Sequence, residues 1–416
     1  MSGALQSGLG LVVLLVGAVL LSEDRRRIPW RIVVSAILLQ LVLALLLLKL
    51  PSSRQVFFLL NEVVGVLEQA TREGTAFVFG YLGGGALPFE PKQGASTYIL
   101  AFRGLPLILV ISALSSLLFY WRILPLIVRG FAGLLRKLLG IGGAEGVGTA
   151  ANVFLGMVES PLFVKPYLPR MHRGELFCLM SCGMATIAGT VMVLYASILQ
   201  PVLPQAMGHL IVASILSAPA AVALARIMIP TPFQEVTEAR IEAPVSAHSS
   251  MDALTAGTLE GAKLVINIIA MLIVLVAMVS LVNQLLSLFP AVQGNDLTLQ
   301  LILGWIMAPV VWLLGIPWEE CITAGSLMGT KTVLNELIAY TDLSQLPQDA
   351  LAPRSRLIIT YAMCGFANPG SLGIMIGGIG GLVSERRQEI ASLGIRSILA
   401  GTMATCMTGA VVGCIL

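Results

Sequence analysis

The stretch 151–168, "ANVFLGMVESPLFVKPYL", places one carboxylate in otherwise apolar sequence. Glu159 lies near its centre, and Gly156 and Pro161 interrupt the segment on either side. A membrane-spanning helix needs about 20 mostly apolar residues. Breaks in such a helix are tolerated where neighbouring protein satisfies the freed backbone groups. The stretch therefore predicts a broken, re-entrant element, not an ordinary spanning helix.

The composition is that of a membrane protein. Of 416 residues, 57% are hydrophobic and only 11% are charged, whereas soluble domains carry roughly 25% charged residues. The sequence predicts an all-α, polytopic membrane protein. A net charge of +3 is too small to indicate a nucleic-acid partner. The segment Met1–Ser22 lacks the basic start of a cleaved signal peptide and is expected to remain as a helix.

Hydrophobic runs predict eight spanning helices and two re-entrant hairpins. Each predicted hairpin contains a glutamate, small residues and a break. The hairpins are expected at 144–170 and 319–341, and the helices at about 5–22, 32–50, 104–121, 176–200, 207–229, 262–289, 357–380 and 394–416.

Three further stretches are expected near the membrane surface. Segment 121–140 spaces four basic residues along one helical side, and segment 297–318 is apolar but is predicted to be split at Pro309. Within 51–95, the sequence fits an amphipathic interfacial helix.

The two halves of the chain repeat the same order of elements. An N-terminal scaffold (1–103) precedes a first repeat (104–230) and a second repeat (259–416), with a polar linker (231–258) between them. The distribution of Lys and Arg places the N-terminus outside and the linker in the cytoplasm, so the two hairpins open to opposite sides. Broken elements at matching positions of an inverted repeat are typical of a transporter's binding site.

Several polar residues lie within the hydrophobic sequence. An ionised group at the bilayer centre costs about 2.5–3.5 kcal/mol on insertion scales, so Glu159 and Glu336 are candidates for ligand contact. The alternative is a structural ion pair with Lys331. In "FANPGS", Pro369 and Gly370 predict an unwinding that exposes Asn368 and Ser371, and a plain proline kink is the alternative. The spacing of Gly373, Gly377 and Gly381 predicts close helix packing.

Four motifs together resemble the concentrative nucleoside transporters. The resemblance covers roughly residues 100–416, and the motifs occur in order. They are "ANVFLGMVESPLFVKPYL" (151–168), "GMATIAGT" (183–190), "GTKTVLNELIAY" (329–340) and "CGFANPGSLGIMIGGIGG" (364–381).

The resemblance implies a homotrimer in the inner membrane that imports nucleosides by symport with a cation. Each protomer would hold a site between its two hairpins and two broken helices. The implied substrate-binding residues are Met157, Val158 and Glu159 facing the nucleobase, Phe366 against the base, and Glu336, Asn368 and Ser371 at the ribose. The implied Na⁺ ligands, all oxygens as a hard cation prefers, come from the side chains of Asn152 and Thr186 and the carbonyls of Leu155 and Ile187.

The first hairpin tip departs from the family pattern. The family usually shows Gly-Gln-Ser/Thr-Glu, whereas this chain has Gly156-Met157-Val158-Glu159. Since Met and Val side chains lack the amide's donor and acceptor, we expect a preference for purines, tolerance of many bases, or another ribose-bearing ligand.

The sequence leaves three alternatives to Na⁺-coupled nucleoside transport. Protons could drive uptake through Glu159, since a proton needs a titrating carboxylate. An intramembrane enzyme with Glu159 and Glu336 as an acid–base pair lacks any accompanying metal or nucleophile motif, so the sequence predicts a protein that is not an enzyme and has no cofactor beyond the coupling ion. The third alternative is a channel or a non-transporting scaffold, but paired inverted repeats with separate sites favour alternating access over a continuous pore.

Overall fold

The computed structural model describes residues 3–90, 97–231, 247–291 and 296–416; the side chains of residues 51–54 are not described. Within these ranges the regular structure is helical. The α-helices are α1 (Gly3–Leu20), α2 (Trp30–Lys49), α3 (Pro51–Phe79), α4 (Leu100–Arg103), α5 (Leu107–Tyr120), α6 (Ile123–Leu139), α7 (Gly143–Phe154), α8 (Arg173–Ala185), α9 (Gly189–Leu199), α10 (Ala206–Met228), α11 (Ser250–Leu286), α12 (Leu299–Leu313), α13 (Cys321–Val333), α14 (Glu336–Gln345), α15 (Pro353–Met363), α16 (Pro369–Leu382) and α17 (Arg387–Ile415).

In the described ranges, seven helical segments are long and apolar enough to cross a membrane. The eighth predicted span, 357–380, is not one helix but two, α15 and α16. Local chemistry explains the break. The side chain of Asn368 accepts from the backbone N–H of Ser371 at 2.8 Å and so caps α16. Pro369, at the first helical position, has the φ angle that starts a helix and blocks continuation from before it.

The predicted span 176–200 is also interrupted. Helix α8 ends at Ala185 and α9 begins at Gly189, with Thr186 in extended conformation between them. The start of α8 is fixed by a capping box in which the backbone N–H of His172 donates to Glu175 at 2.9 Å. A helix break in the middle of a buried apolar run exposes backbone groups inside the protein, as expected for a binding site.

The predicted limits of α12 and α11 were wrong. Helix α12 continues through Pro309, although the sequence predicted that this proline would split it. An interior proline costs about 3 kcal/mol, and here α12 packs so closely on α13 that a Cβ on Gly325 would lie 2.6 Å from the carbonyl oxygen of Gly304. Helix α11 begins at Ser250, inside the predicted linker 231–258, because Ser249 caps it by accepting from Asp252 N–H at 3.1 Å. Residues 232–246 of that linker lie outside the described ranges.

Both predicted hairpins correspond to helix–break–helix elements. The first hairpin (143–171) consists of α7, a break at the extended residue Leu155, a turn at the tip and a 3₁₀ helix over Ser160–Val164. The second hairpin (321–345) consists of α13, a break at 334–335 and α14, with Asn335 capping α14 by accepting from Ile338 N–H at 2.9 Å. That either one re-enters the membrane stays a prediction.

The order of elements repeats in the two halves. Helices α5, α6, α7, α8–α9 and α10 are followed by α11, α12, α13–α14, α15–α16 and α17. Helices at equivalent positions contact each other, because α5 packs on α11 and α10 packs on α17. The α5–α11 contact is close, since a Cβ on Gly257 would lie 2.6 Å from the carbonyl oxygen of Ser112. That the two repeats are inverted stays a prediction.

The buried apolar residues form two large clusters. One surrounds the first hairpin with α8, α10 and part of α17, and the other surrounds the second hairpin with α9 and α15. Phe366, in the break between α15 and α16, packs against both. The helix breaks therefore meet at the junction of the two clusters.

Candidate functional site

A cavity of about 260 Å³ lies at that junction. Its walls come from the first hairpin tip, α9, α11, the break of the second hairpin and the start of α16. The polar side chains that line it are Glu159, Thr190, Tyr195, Asn267, Asn335, Glu336, Asn368 and Ser371. All seven predicted substrate-binding residues line this one cavity.

Glu336 is the most tightly held acid in the cavity. Its side chain is 4% exposed, and both carboxylate oxygens accept hydrogen bonds. The Tyr195 hydroxyl donates to Oε1 at 2.7 Å, and the amide nitrogen of Asn368 donates to Oε2 at 3.2 Å. Glu336 is also the first residue of α14, where the helix dipole favours negative charge. A buried carboxylate so supported can receive hydroxyl donors from a ligand.

Asn368 has two functions at once. Its Oδ1 caps α16 through Ser371 N–H, and its Nδ2 bonds Glu336. The cap orients the amide so that its donor points into the cavity. Glu336, Asn368 and Ser371 are thus brought together, as the sequence predicted.

The alternative role for Glu336 was an ion pair with Lys331, and the described residues show no direct contact of that kind. Lys331 is fully buried on α13, and its Nζ has no hydrogen-bond partner, but its charge acts on Glu336 electrostatically. Lys331 does not pair with Glu159 among these residues either. The oxygens of both glutamates are therefore not occupied by a direct ion pair.

The three tip residues of the first hairpin have different surroundings. Met157 is buried, and its Cβ lies 2.9 Å from a Cβ built on Gly183 of α8. Val158 packs on α16, where a Cβ on Gly378 would lie 3.0 Å from it. Glu159 is exposed toward the cavity. The tip thus offers one carboxylate beside two side chains that serve largely as packing.

The glycines of α16 that were predicted to pack closely are not the ones that do so within this chain. The glycines predicted to pack closely, at 373, 377 and 381, have no atom within 4 Å of an added Cβ. The close contact involves Gly378, on a different face of the helix. Spacing alone identifies a smooth face but does not identify which face meets a neighbour.

A second polar cluster lies behind the first hairpin. The Thr186 hydroxyl donates to the backbone carbonyl of Asn152 at 2.8 Å and to that of Cys182 at 2.9 Å. The Ser160 hydroxyl donates to Asn152 Oδ1 at 2.7 Å. The predicted cation ligands Asn152 and Thr186 are therefore in contact, and the break between α8 and α9 lies beside the hairpin.

The two predicted carbonyl ligands lie in non-helical backbone. Leu155 directly follows α7, and Ile187 is the second residue after α8. Neither carbonyl oxygen accepts a hydrogen bond from the part of the chain described. The four predicted ligands are all neutral oxygens, the donor type that a hard monovalent cation prefers.

Four polar residues of the cavity were not among the predicted site residues. Thr190 and Tyr195 lie on α9, Asn267 lies on α11, and Asn335 caps α14. Tyr195 is surrounded in sequence by apolar residues and gave no local signal. On α11, the cavity-facing positions Leu264, Asn267 and Met271 follow helical spacing, so a polar residue on that stripe was the available clue.

The fold and the cavity define a class of multi-pass membrane transporter with an internal site between broken helices. Three family descriptions match the chain: Na⁺ dependent nucleoside transporter N-terminus over residues 9–82, nucleoside recognition (Gate) over 101–202, and Na⁺ dependent nucleoside transporter C-terminus over 209–413.

Relatives match over nearly the whole chain. Nucleoside permease NupC of Helicobacter pylori is 35% identical over 99% of this chain and 97% of its own. Human solute carrier family 28 member 3 is 34% identical over 97% of this chain and 59% of its own. A solved structure of CNTnw in an inward-facing substrate-bound state has a TM-score of 0.88 at 34% identity, covering 99% and 97% of the two chains.

The chain belongs to the concentrative nucleoside transporter family. Members of this family are nucleoside transporters and not enzymes. The chain is accordingly a multi-pass protein of the plasma membrane.

Proposed function

We propose that this protein imports nucleosides across the inner membrane by symport with Na⁺. The observation that carries the proposal is the Glu336 carboxylate, held by Tyr195 and Asn368 in a cavity between two broken hairpins. A vicinal diol would donate to that carboxylate, while Phe366 would offer a ring face to a flat base.

The family supports the substrate class. The relatives carry names such as nucleoside permease and sodium/nucleoside cotransporter, the latter from Rattus norvegicus. In our proposal Met157, Val158 and Glu159 lie nearest the base, and Glu336, Asn368 and Ser371 bind the ribose.

Sodium is the proposed coupling ion because of the cluster around Asn152. Its side-chain and carbonyl oxygens are neutral, so the site would bind a metal cation without having to exchange a proton. A cation shared by Asn152, Leu155, Thr186 and Ile187 would fix the first hairpin against the break between α8 and α9. Glu159, at the hairpin tip, lies four residues after Leu155. A cation that fixes Leu155 would therefore also fix the part of the substrate site that Glu159 forms.

Proton coupling is the second candidate, and Glu159 favours it. Glu159 is the acid exposed in the cavity, and it forms no ion pair with a basic side chain in the described ranges. A protonation step there would also alter the base side of the site.

We also propose the repeat as an inverted one, with two membrane re-entrant hairpins, and the assembly as a homotrimer. The repeated order of elements supports the inverted repeat, and the homotrimer rests on the resemblance of the sequence motifs to the family.

The experiment is counterflow of labelled uridine and adenosine in proteoliposomes of the purified protein. We expect uptake that rises with an inward Na⁺ gradient and saturates with Na⁺ concentration. Absence of nucleoside counterflow would contradict the proposal. Uptake that follows an inward proton gradient and ignores Na⁺ would select the second candidate.

A further inference from the structure

We propose that Tyr195 is a positioning residue that sets the preference for substrates with an intact ribose diol. The inference rests on the nucleoside transport proposed above. Tyr195 lies on α9, in the first half of the chain, whereas the carboxylate that it contacts belongs to the second hairpin.

The hydrogen bonds around Glu336 fix the plane of its carboxylate. Tyr195 Oη bonds one oxygen at 2.7 Å and Asn368 Nδ2 bonds the other at 3.2 Å. An ionised carboxylate has about four acceptor positions, two on each oxygen. Each oxygen therefore keeps room for one further donor. Two adjacent acceptors in a fixed plane match the two adjacent hydroxyls of a ribose.

Tyr195 is itself rigidly held. Its side chain is 2% exposed, and its ring packs against that of Tyr340 with centroids 5.3 Å apart. The Tyr340 hydroxyl donates to the backbone carbonyl of Thr360 at 3.0 Å, which anchors the second ring. The Tyr195 hydroxyl thus approaches Glu336 from a fixed direction, and Tyr340 supports the pair without contacting the carboxylate oxygens.

Loss of the Tyr195 hydroxyl would leave Asn368 as the one side chain in the described ranges that donates to the Glu336 carboxylate. The carboxylate could then rotate, and its two free acceptor positions would no longer be aligned for a diol. A ligand without the two hydroxyls makes no use of these positions. The structure therefore predicts that removing the Tyr195 hydroxyl weakens ligands with a ribose diol more than ligands without one. The ratio of the two affinities should change.

The test compares adenosine with 2′,3′-dideoxyadenosine, and uridine with 2′,3′-dideoxyuridine, as competitors of labelled nucleoside uptake. In Tyr195→Phe we expect the half-maximal concentration of each riboside to rise about tenfold, because the rotated carboxylate would lose one of its charge-assisted hydrogen bonds to the diol. The dideoxy analogues should change by less than about twofold. Tyr340→Phe is the matched control, since it removes a buried hydroxyl from the same ring pair and should leave the ratio unchanged.

Equal weakening of ribosides and dideoxy analogues in Tyr195→Phe would overturn the inference, as would an unchanged ratio. If that variant does not assemble, Tyr195→Leu tests the same lost hydroxyl and should give the same collapse of the ratio. The two failures are distinguishable. A wild-type protein that takes up no nucleoside contradicts the proposed function, whereas wild-type uptake with an unaltered ratio in the variants contradicts only the role of Tyr195.

Discussion

Glu145 of α7 and Arg226 of α10 form an ion pair in which both side chains are completely buried. The residues are 81 positions apart in sequence. Arg226 also donates to the backbone carbonyl of Thr231 at 3.4 Å. The pair attaches the base of the first hairpin to the long helix α10, away from the cavity that the tip of the same hairpin lines.

This pair predicts a stability effect that is separate from transport. Glu145→Gln leaves the buried Arg226 guanidinium without its direct ion-pair partner, and breaking such pairs costs about 3–5 kcal/mol. We expect a marked fall in the temperature at which the detergent-solubilised protein loses its monodisperse peak on size-exclusion chromatography.

The double variant Glu145→Met with Arg226→Met is the control. Replacing both charges by apolar groups of similar size removes the unpaired charge, so most of the loss should be recovered. Wild-type thermal behaviour in Glu145→Gln would show that the pair does not hold the hairpin base.

Substitution of Glu336, on the proposed ribose side of the cavity, should abolish transport without unfolding the protein. Glu336→Gln keeps the size of the side chain but replaces a carboxylate oxygen by a donor. Charge-assisted hydrogen bonds to ribose hydroxyls, worth roughly 1.5–3 kcal/mol each, would be lost. We expect uptake of ribosides to be abolished and the order of base preference to be little changed.

Asn368→Ala should act in the same direction, because it removes one of the two donors that hold Glu336 and also the cap of α16. The measurement is riboside uptake in proteoliposomes, with the oligomeric state checked by size-exclusion chromatography. Wild-type uptake by Glu336→Gln would rule out the assignment of the ribose site.

The hairpin tip predicts a gain in base discrimination. Met157→Gln with Val158→Thr introduces donors and acceptors where the wild type offers apolar surface. Sites built on hydrogen bonds discriminate more steeply than apolar ones. Gln is unbranched at Cβ, as Met is, so it fits the close approach to Gly183.

Competition by uridine, cytidine, adenosine and inosine measures the effect. Met157→Leu, which preserves an apolar side chain of similar volume, is the matched control and should keep the wild-type ranking. If the double variant also keeps the wild-type ranking of the four nucleosides, the hairpin tip does not determine base preference.

The break before α16 illustrates what local sequence can predict. Asn368 and Pro369 are, respectively, a strong helix cap and a strong first helical residue, so the unwinding followed from neighbouring residues alone. The same residues, however, ended the predicted eighth span. The hydropathy of 357–380 shows only that the whole region is apolar. A prediction based on hydropathy therefore treated two helices as one.

Contacts between elements that are distant in sequence were harder to predict from the sequence. Nothing near Tyr195 or Arg226 in sequence indicates that each donates to a glutamate, since Glu336 and Glu145 lie on other elements. Only packing of the two halves brings them together. The family resemblance supplied the cavity residues that match known motifs, and residues outside those motifs, such as Asn267, were missed.

The contact between Thr186 and Asn152 leads to the last prediction, which concerns the driving ion. Asn152 lies on the first hairpin and Thr186 in the break after α8, and their contact joins the two elements. A cation bound there would fix Gly156–Glu159 and raise substrate affinity, and linkage requires that substrate raise cation affinity by the same factor. We expect nucleoside binding to tighten with Na⁺ in a saturable way. Asn152→Leu should remove that dependence, because it deletes a neutral oxygen ligand.

Thr149→Val is the control, since Thr149 lies about one turn earlier on α7, is equally buried, and contacts Cys182 Sγ at 3.6 Å instead of the proposed ligands. Its Na⁺ dependence should match that of the wild type. The measurement is nucleoside affinity as a function of Na⁺ concentration at constant ionic strength, in all three proteins. A proton requires a carboxylate, which the Asn152 cluster lacks and Glu159 supplies. Uptake that ignores Na⁺, follows an inward proton gradient and loses this response in Glu159→Gln would replace Na⁺ by protons as the coupling ion.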